Sequence, residues 1–290
     1  MNELEFYNYL NDNLRKLADL YNINNLDDYF SNTDLLNDKI SSLSGIEQIY
    51  AQYILHAQNA TIISGIIKFN KNFDFIKSTL KDFSPSQIIS FYKINPNDKN
   101  HEKSANLLVK EFRKGLQWST EKSEKPDTII KRFTNTIIDG AIYFSRFADK
   151  QAVLKDLNLH YQKHDFRMLI DYLLDNFKHG FSVALCCDFL KELDSNFDLP
   201  KPDVHIMEVI AKYKGYPLDY YKKNSNKDRA YECIDDIIDI VNQIRKSECR
   251  HRKLTIYKFD RMIWLCCTGN FFLSGSGGSL KENLSNGINN

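Results

Sequence analysis

Residues 177–184 read Phe-Lys-His-Gly-Phe-Ser-Val-Ala, and residues 199–205 read Leu-Pro-Lys-Pro-Asp-Val-His. The first stretch predicts a turn at Gly180 that opens into a helix, and the second predicts a loop that two prolines stiffen before Asp203. We name residues 177–182 the glycine turn and residues 199–203 the proline loop. The turn amides can bind a phosphate, while the loop can aim a carboxylate at the adjoining sugar. This order of turn, helix and loop is typical of a DNA-binding active site.

The rest of the chain carries helical rather than strand periodicity, so we predict an all-α fold. Strand-like alternation bounded by tight turns is scarce. The predicted helices cover residues 3–21, 45–69, 73–81, 86–91, 102–115, 128–146, 150–157, 165–176, 181–193, 204–212, 227–246 and 258–268.

The charge balance excludes a global attraction to polyanions. Lysine and arginine total 39 of the 290 residues against 38 aspartates and glutamates, and 42% of the residues are hydrophobic. Any nucleic-acid surface must therefore be a local patch. We predict such a basic patch within residues 245–258, where Glu248 is the one acidic residue. The alternative is that these residues form a solvated helix end and loop. The members of the patch are Arg245, Lys246, Arg250, His251, Arg252, Lys253 and Lys258.

Cysteine usage and hydropathy indicate a globular intracellular protein without membrane association. The cysteines stand as two adjacent pairs and two single residues, without Cys-x-x-Cys spacing, and are expected to be buried small hydrophobes rather than disulfides or metal ligands. No apolar run reaches the length of a membrane span, and the N-terminus lacks the basic start of a signal peptide. We expect a cytoplasmic, nucleoid-associated protein, or a nuclear one in a eukaryote.

Polar, turn-rich segments suggest where the chain divides. Residues 119–126 read Ser-Thr-Glu-Lys-Ser-Glu-Lys-Pro and are the preferred boundary. We therefore expect an N-terminal helical region over residues 1–125 and a second region over residues 126–273. Residues 274–290 are rich in glycine, serine and asparagine and predict a flexible tail.

The two motifs resemble the helix-hairpin-helix DNA glycosylase superfamily. Its signature is Gly-(Val/Ile)-Gly, a helix, and a Gly/Pro-rich loop that ends in aspartate, and the likeness covers about residues 165–210. This chain keeps the second glycine as Gly180 but has Lys178 in place of the first. Pro202-Asp203-Val204-His205 is similar to the loop of the oxoguanine-excising branch. Residues 53–59, Tyr-Ile-Leu-His-Ala-Gln-Asn, are similar to an early helix of the family.

The resemblance implies a two-lobed helical fold with a helix-hairpin-helix element and a cleft between the lobes. It also implies that Asp203 is the catalytic carboxylate for hydrolysis of an N-glycosidic bond in damaged or modified double-stranded DNA. Ser182 stands where bifunctional members carry the imine-forming lysine, so a monofunctional, monomeric enzyme without an organic cofactor is expected. The hairpin of the family also holds a monovalent cation. The predicted DNA-binding residues are Lys178, His179, Gly180, Phe181, Ser182, Lys201, His205, Arg250, Arg252 and Lys253.

Simpler interpretations stay open for each residue. Asp203 is also a suitable N-cap, and Gly180 suits an ordinary helix-helix turn. Lys178 and Lys201 are either substitutes for the missing lysine or phosphate contacts and solvated charges. The alternative function is a non-catalytic helix-hairpin-helix adaptor that binds DNA. A third hypothesis is an all-α interaction protein in which Gly180 makes a turn and Asp203 caps a helix.

Three further polar residues stand out. His205, two residues after Asp203, is expected to be structural or to face a phosphate. Asp188 lies in an apolar helix and is expected to hydrogen-bond to the glycine turn or the proline loop. His160 and His164 have helical spacing, but no glutamate follows to complete a metal motif, and no metal site is predicted.

Overall fold

The computed structural model describes residues 1–23, 26, 38–60, 64–98, 101–116, 126–162, 165–225, 227–247, 252–269 and 287–288. Within these ranges the secondary structure consists of helices and turns without a β-strand. The predicted all-α class is therefore confirmed for the described part of the chain. None of the helices in these ranges combines the length and the apolar character needed to cross a bilayer.

The α-helices, numbered in chain order, include short and long elements. They are α1 Glu3–Leu20, α2 Asp38–Ser41, α3 Gly45–Ala57, α4 Ser64–Ile67, α5 Phe73–Thr79, α6 Pro85–Phe91, α7 Glu102–Gly115, α8 Pro126–Phe144, α9 Lys150–His160, α10 Phe166–Asn176, α11 Val183–Leu193, α12 Val204–Tyr213, α13 Lys227–Ser247 and α14 Ile256–Thr268.

The helix predicted over residues 45–69 is shorter in the structure. Helix α3 ends at Ala57 and a 3-10 segment follows at Gln58–Ala60. The Gln58 side chain accepts a hydrogen bond from the amide of Phe69 at 3.0 Å. Residues 58 and 69 would lie about 16 Å apart along one α-helix, so this contact rules out a continuous helix over residues 45–69.

The chain forms two compact units. The terminal unit comprises Met1–Leu35 and Ser195–Asn290, and the central unit comprises Leu36–Asp194. The boundary expected near residue 125 falls inside the central unit. Helices α7 and α8 pack on each other there, with the rings of Phe112 and Phe133 5.9 Å apart between centroids and a salt bridge between Lys131 and Glu102 at 2.9 Å.

The terminal unit has a core built on α1. Its buried residues Phe6, Leu10, Leu14 and Leu17 recur at helical spacing. The Phe6 ring stacks on Tyr213 of α12 at a centroid distance of 4.2 Å and meets Phe259 of α14 edge-on. Burial of this stripe joins the first helix of the chain to its last helices.

The end of the chain also reaches this core. Most of the predicted flexible tail, residues 274–286 and 289–290, lies outside the described residues. Ile288 is buried with the α1 and α14 side chains. At Gly287 an added Cβ would lie 2.0 Å from the hydroxyl of Tyr9, so only glycine fits this contact.

The central unit has an aromatic core between α3 and α8. The hydroxyls of Tyr50 and Tyr53 donate to the carbonyls of Ile137 and Thr136 at 2.7 and 2.9 Å. At Gly140 of α8 an added Cβ would lie 2.3 Å from the Tyr53 ring. The absence of a side chain at this position therefore permits the close approach of the two helices.

The described cysteines are free and buried, as the sequence predicts. They are Cys186, Cys187, Cys233, Cys266 and Cys267, and Cys249 lies outside the described residues. Burial raises the pKa of the Cys186 and Cys233 thiols well above the ordinary value, which disfavours the reactive thiolate.

Candidate functional site

The glycine turn joins α10 to α11 in the central unit. Gly180, where the sequence predicts a turn, has φ of 88°, a left-handed conformation that favours glycine. Ser182 is the N-cap of α11, and its hydroxyl accepts from the amide of Leu185 at 3.4 Å. The side chains of Lys178 and Ser182 are exposed. The turn therefore presents a lysine and the start of a helix at the surface of the unit.

Helix α8 holds the turn through two polar side chains. The buried carboxylate of Asp139 accepts from the backbone amide of His179 at 2.8 Å and lies 3.0 Å from its Nδ1. The Thr136 hydroxyl donates to the His179 carbonyl. His179 is thus fixed at its backbone and at its side chain, which limits its freedom to serve as the predicted DNA contact.

Asp139 was not found from the sequence as part of the site. Its only local signal is an isolated acid in the apolar run Ile137-Ile138-Asp139-Gly140-Ala141. Burial raises the pKa of Asp139, and the neighbouring His179 partly offsets that increase. Burial also lowers the pKa of His101, while Asp139 acts in the opposite direction. Asp139 is therefore a buried acid whose charged form both His179 and His101 favour.

Phe181 faces the core of the central unit. Its ring stacks on Tyr53 at a centroid distance of 4.7 Å and an interplanar angle of 12°, and it lies 5.2 Å from Phe177. The ring is therefore a packing element, and any phosphate contact of Phe181 must come from its backbone amide. The hydrophobic anchor and the polar anchors together fix both ends of the turn.

The proline loop, in the terminal unit, presents Asp203 as the N-cap of α12. Its Oδ1 accepts from the amides of His205 and Ile206 at 2.9 and 3.0 Å. No hydrogen bond within the described part of the chain involves Oδ2. The amide of Asp203 donates to the carbonyl of Lys201 at 2.7 Å, and Pro202 is buried. The loop therefore holds the carboxylate rigidly through one oxygen.

His205 is half-buried in the first turn of α12. Its Nδ1 is buried and has no hydrogen-bond partner among the residues that the structure describes. The backbone amide of His205, rather than its ring, contacts Asp203. The ring of His205 is therefore not a hydrogen-bond partner of Asp203, and its structural or phosphate-facing role stays a prediction.

Asp198, which the sequence did not single out, anchors the approach to the proline loop. Its carboxylate accepts from the amides of Ile256 and Tyr257 at the start of α14, both at 3.0 Å. It also pairs with Arg245 at 3.2 Å, and Arg245 Nε donates to the carbonyl of Leu254 at 2.6 Å. Arg245, a member of the predicted basic patch, therefore has a structural role.

Two further members of that patch lie at the surface. Arg252 and Lys253 are exposed, and Arg250 and His251 lie outside the described residues. The glycine turn and the proline loop belong to different units, and the geometry of each is described by itself. Within its own unit, each motif has the local conformation that the sequence predicts.

A second polar cluster lies in the central unit, between α3 and α11. His56 Nε2 is 2.8 Å from Glu192 Oε2, and His56 Nδ1 is 3.4 Å from Asp188 Oδ2. Asp188, which the sequence predicts to contact the glycine turn or the proline loop, also pairs with Lys191 at 2.9 Å. Gln52 donates to Glu192. One ligand atom from each of His56, Asp188 and Glu192 lies within 4.8 Å of the others.

The electrostatics of this cluster favour a positive charge on His56. Burial by itself lowers the pKa of His56, but the carboxylates of Glu192 and Asp188 outweigh burial and raise the pKa to about 9. Burial raises the pKa of Glu192, and His56 more than reverses that effect, so the pKa is lowered. The cluster therefore has a strong negative potential at the imidazole.

Of the histidine pair in the second half of the chain, the structure describes only His160, and His164 lies outside the described residues. His160 stacks on Tyr172 at a centroid distance of 3.6 Å, and its Nδ1 is 2.9 Å from the carbonyl of Asp156. His160 is therefore engaged in packing at the end of α9.

Comparison of the chain with protein-family models, with curated proteins and with solved structures gives no significant match.

Proposed function

We propose that the protein is a monofunctional DNA glycosylase that hydrolyses the N-glycosidic bond of a damaged or modified base. The observation that carries the proposal is the hydrogen bonding of Asp203. Its Oδ1 accepts hydrogen bonds from two backbone amides, while no hydrogen bond in the described part of the chain involves Oδ2. A carboxylate oriented in this way is suited to act on a positively charged transition state. Catalysis and capping then use different oxygens of the same side chain.

The glycine turn is the proposed phosphate-binding element. The amides at the N-terminus of α11 carry partial positive charge, and Lys178 is exposed beside them. The anchors Asp139 and Thr136 hold the turn in a fixed conformation before DNA arrives. We propose that Lys201, Arg252 and Lys253 add phosphate contacts from the terminal unit.

The proposed mechanism needs the target base outside the helix, because the duplex hides the glycosidic bond. Extrusion of the base costs a few kcal/mol, and least at a damaged or mispaired base. Asp203 would then stabilise the oxocarbenium-like sugar as the base leaves and orient the attacking water. The Ser182 hydroxyl cannot form an imine with the sugar, so hydrolysis rather than strand cleavage is the proposed outcome.

The test compares wild-type protein with Asp203→Asn on duplexes that carry assorted lesions, with abasic sites scored by alkali cleavage. Asparagine is also a good N-cap, so the variant keeps the fold while losing the charge. The matched control is Asp165→Asn, because Asp165 caps α10 through Oδ1 in the same pattern, from the amides of Arg167 and Met168. We expect Asp203→Asn to lose about 100-fold or more in rate. Equal activity of Asp203→Asn and wild type would refute the assignment.

Borohydride trapping tests the monofunctional part of the proposal. Wild-type protein should give no covalent adduct with lesion DNA, whereas Ser182→Lys places an amine at the position of the lyase lysine and should give one. Efficient trapping by wild type would mean that another lysine, such as Lys178 or Lys201, attacks the sugar. Repeating the assay with alanine at each of these lysines identifies the nucleophile.

The N-cap geometry of Asp203 favours one alternative, a non-catalytic adaptor that binds DNA. In an adaptor, the role of Asp203 would be limited to the two hydrogen bonds that it accepts from backbone amides as an N-cap. The adaptor would bind DNA equally well before and after Asp203→Asn, and wild type would release no base from any duplex. Salt dependence of binding, measured for Lys178→Ala, would then locate the phosphate contacts.

A further inference from the structure

We propose that His56, Asp188 and Glu192 form a binding site for one divalent first-row transition cation, with Zn²⁺ as the ion that fits best. The site lies wholly in the central unit and is independent of the proposed glycosylase chemistry. One imidazole nitrogen and two carboxylate oxygens are ligands that zinc accepts, and three protein ligands leave a fourth position for water.

The two helices fix the ligands in a small volume. Asp188 and Glu192 are four residues apart on α11 and therefore lie on the same face of the helix. His56 is on α3, which packs against that face, and its side chain is buried. One ligand atom from each residue lies within 4.8 Å of the others. Asp188 faces Nδ1 and Glu192 faces Nε2, so one ion bound at Nδ1, with metal bonds of about 2.0–2.2 Å, requires the Glu192 side chain to change rotamer and turn towards Nδ1.

A buried polar atom of the cluster lacks a hydrogen bond. His56 Nδ1 is buried and makes none within the described part of the chain, with Asp188 Oδ2 at 3.4 Å as the nearest charged atom. Buried ring nitrogens are normally engaged by a hydrogen bond or a ligand. This nitrogen and the facing carboxylate therefore leave a place that a cation can occupy once the Glu192 side chain has turned towards it.

The surrounding residues resemble the support that metal ligands usually have. Lys191 holds the Oδ1 atom of Asp188 at 2.9 Å, so that Oδ2 faces the imidazole. Gln52, itself buried, donates to Glu192 and orients that carboxylate. Such outer contacts fix the direction of the ligands and tune their affinity for metal.

The charge of the cluster also calls for a cation. Lys191 pairs with Asp188, and Glu192 faces the imidazole, so a neutral His56 leaves Glu192 opposite an uncharged ring. A negative charge that is left uncompensated at a buried site is costly. A proton on His56 or a metal ion at the cluster can supply the missing positive charge. Glu192 is exposed and gives the ion a route from solvent.

The test uses the full chain after treatment with a chelator, with Zn²⁺ alone as the probe and a chromophoric zinc chelator as the competitor. We expect wild type to bind one Zn²⁺ per chain. Glu192→Gln, which preserves size at an exposed position, should weaken binding by about 10-fold or more, and so should Gln52→Ala, which keeps all three ligands. Glu111→Gln is the matched control, because Glu111 is an exposed glutamate paired with a lysine, Lys114.

A spectrum with Co²⁺ in place of Zn²⁺ separates this site from the cysteines. We expect ligand-field bands without thiolate charge transfer in wild type, and their loss in Glu192→Gln. The proposal is overturned if wild type binds no stoichiometric Zn²⁺, if Glu192→Gln binds as tightly as wild type, or if the spectrum shows thiolate ligation. If Glu192→Gln does not fold, the same comparison is decided by Asp188→Asn and Gln52→Ala.

Discussion

The glycine turn and the proline loop are held in place by contacts of different range. The turn is fixed by Asp139, which lies 40 residues earlier in the chain than His179 and belongs to another helix. Asp203 in the loop is fixed by amides two and three residues later, within the helix that it begins. The turn therefore depends on the tertiary structure of the central unit, whereas the orientation of Asp203 is largely encoded in its own segment.

This difference predicts different sensitivities to mutation and to pH. Removing a partner of a buried polar group costs more than removing an N-cap, because the buried group that remains cannot turn to water. Buried titratable groups surround the glycine turn and α11, while the cap of α12 is half-exposed. The motif in the central unit should thus be the more easily disturbed.

The largest effect is expected from pH in the metal-free protein, through the cluster that His56 of α3 forms with Asp188 and Glu192 of α11. The folded pKa of His56 is about 9 and its unfolded value about 6.5. The stabilisation is complete below the unfolded pKa and is lost as the pH rises through the folded one. We expect a loss of roughly 3 kcal/mol in the free energy of unfolding across that interval.

Urea unfolding between pH 6 and pH 10 measures this loss, with His56→Gln as the variant that should respond less steeply to pH. His160→Gln is the control, because His160 contacts Tyr172 and a backbone carbonyl instead of the two acids. Identical pH profiles for wild type and His56→Gln would show that other groups produce the dependence.

The second prediction concerns the long-range anchor of the glycine turn. Asp139→Ala removes a buried carboxylate that accepts from the backbone amide of His179 and also pairs with the His179 ring. We expect the free energy of unfolding to fall by about 2 kcal/mol. Denaturant titration measures the loss, and reduced DNA affinity should accompany it if the turn binds phosphate. A loss below that of Asp203→Ala would contradict the contrast between the two motifs.

The third prediction concerns the local anchor of the proline loop. Asp203→Ala removes both N-cap bonds of α12 and should cost about 1 kcal/mol, whereas Asp203→Asn should cost only a few tenths. Measuring both the free energy of unfolding and the catalytic rate of Asp203→Ala and Asp203→Asn separates the capping role of the carboxylate from its proposed catalytic role. A large loss of stability in Asp203→Asn would mean that the charge itself, rather than the cap, holds the loop.

The same contrast explains what could be predicted from the sequence. The helical class, the left-handed Gly180 and the N-cap at Asp203 follow from features that act over a few residues. Asp139 and Asp198 reach partners 40 and 58 residues away, and Glu192 reaches His56 across 136 residues. A local sequence pattern carries no information on contacts between residues that lie so far apart in the chain.

One signal could have narrowed the search for these residues. Asp139 and Asp188 both stand within apolar helical runs, and a buried acid must find a partner. Asp188 was marked in this way from the sequence, but its pairing with His56 could not be predicted, because the position of α3 beside α11 depends on packing over the whole central unit. The division into units was likewise hidden, since the first helix joins a core formed mainly after residue 195.

The smallest effect is expected at the cap of α11. The Ser182 hydroxyl lies 3.4 Å from the amide of Leu185, a longer bond than either bond of Asp203. Because Asp139 and Thr136 already hold the glycine turn, Ser182→Ala should cost about 0.5 kcal/mol, at the lower end for an N-cap. A double-mutant cycle with Asp139→Ala tests whether the anchors act separately, and the two losses should then add within about 0.5 kcal/mol. A cost above that of Asp203→Ala would mean that the turn, like the loop, is organised by its own cap.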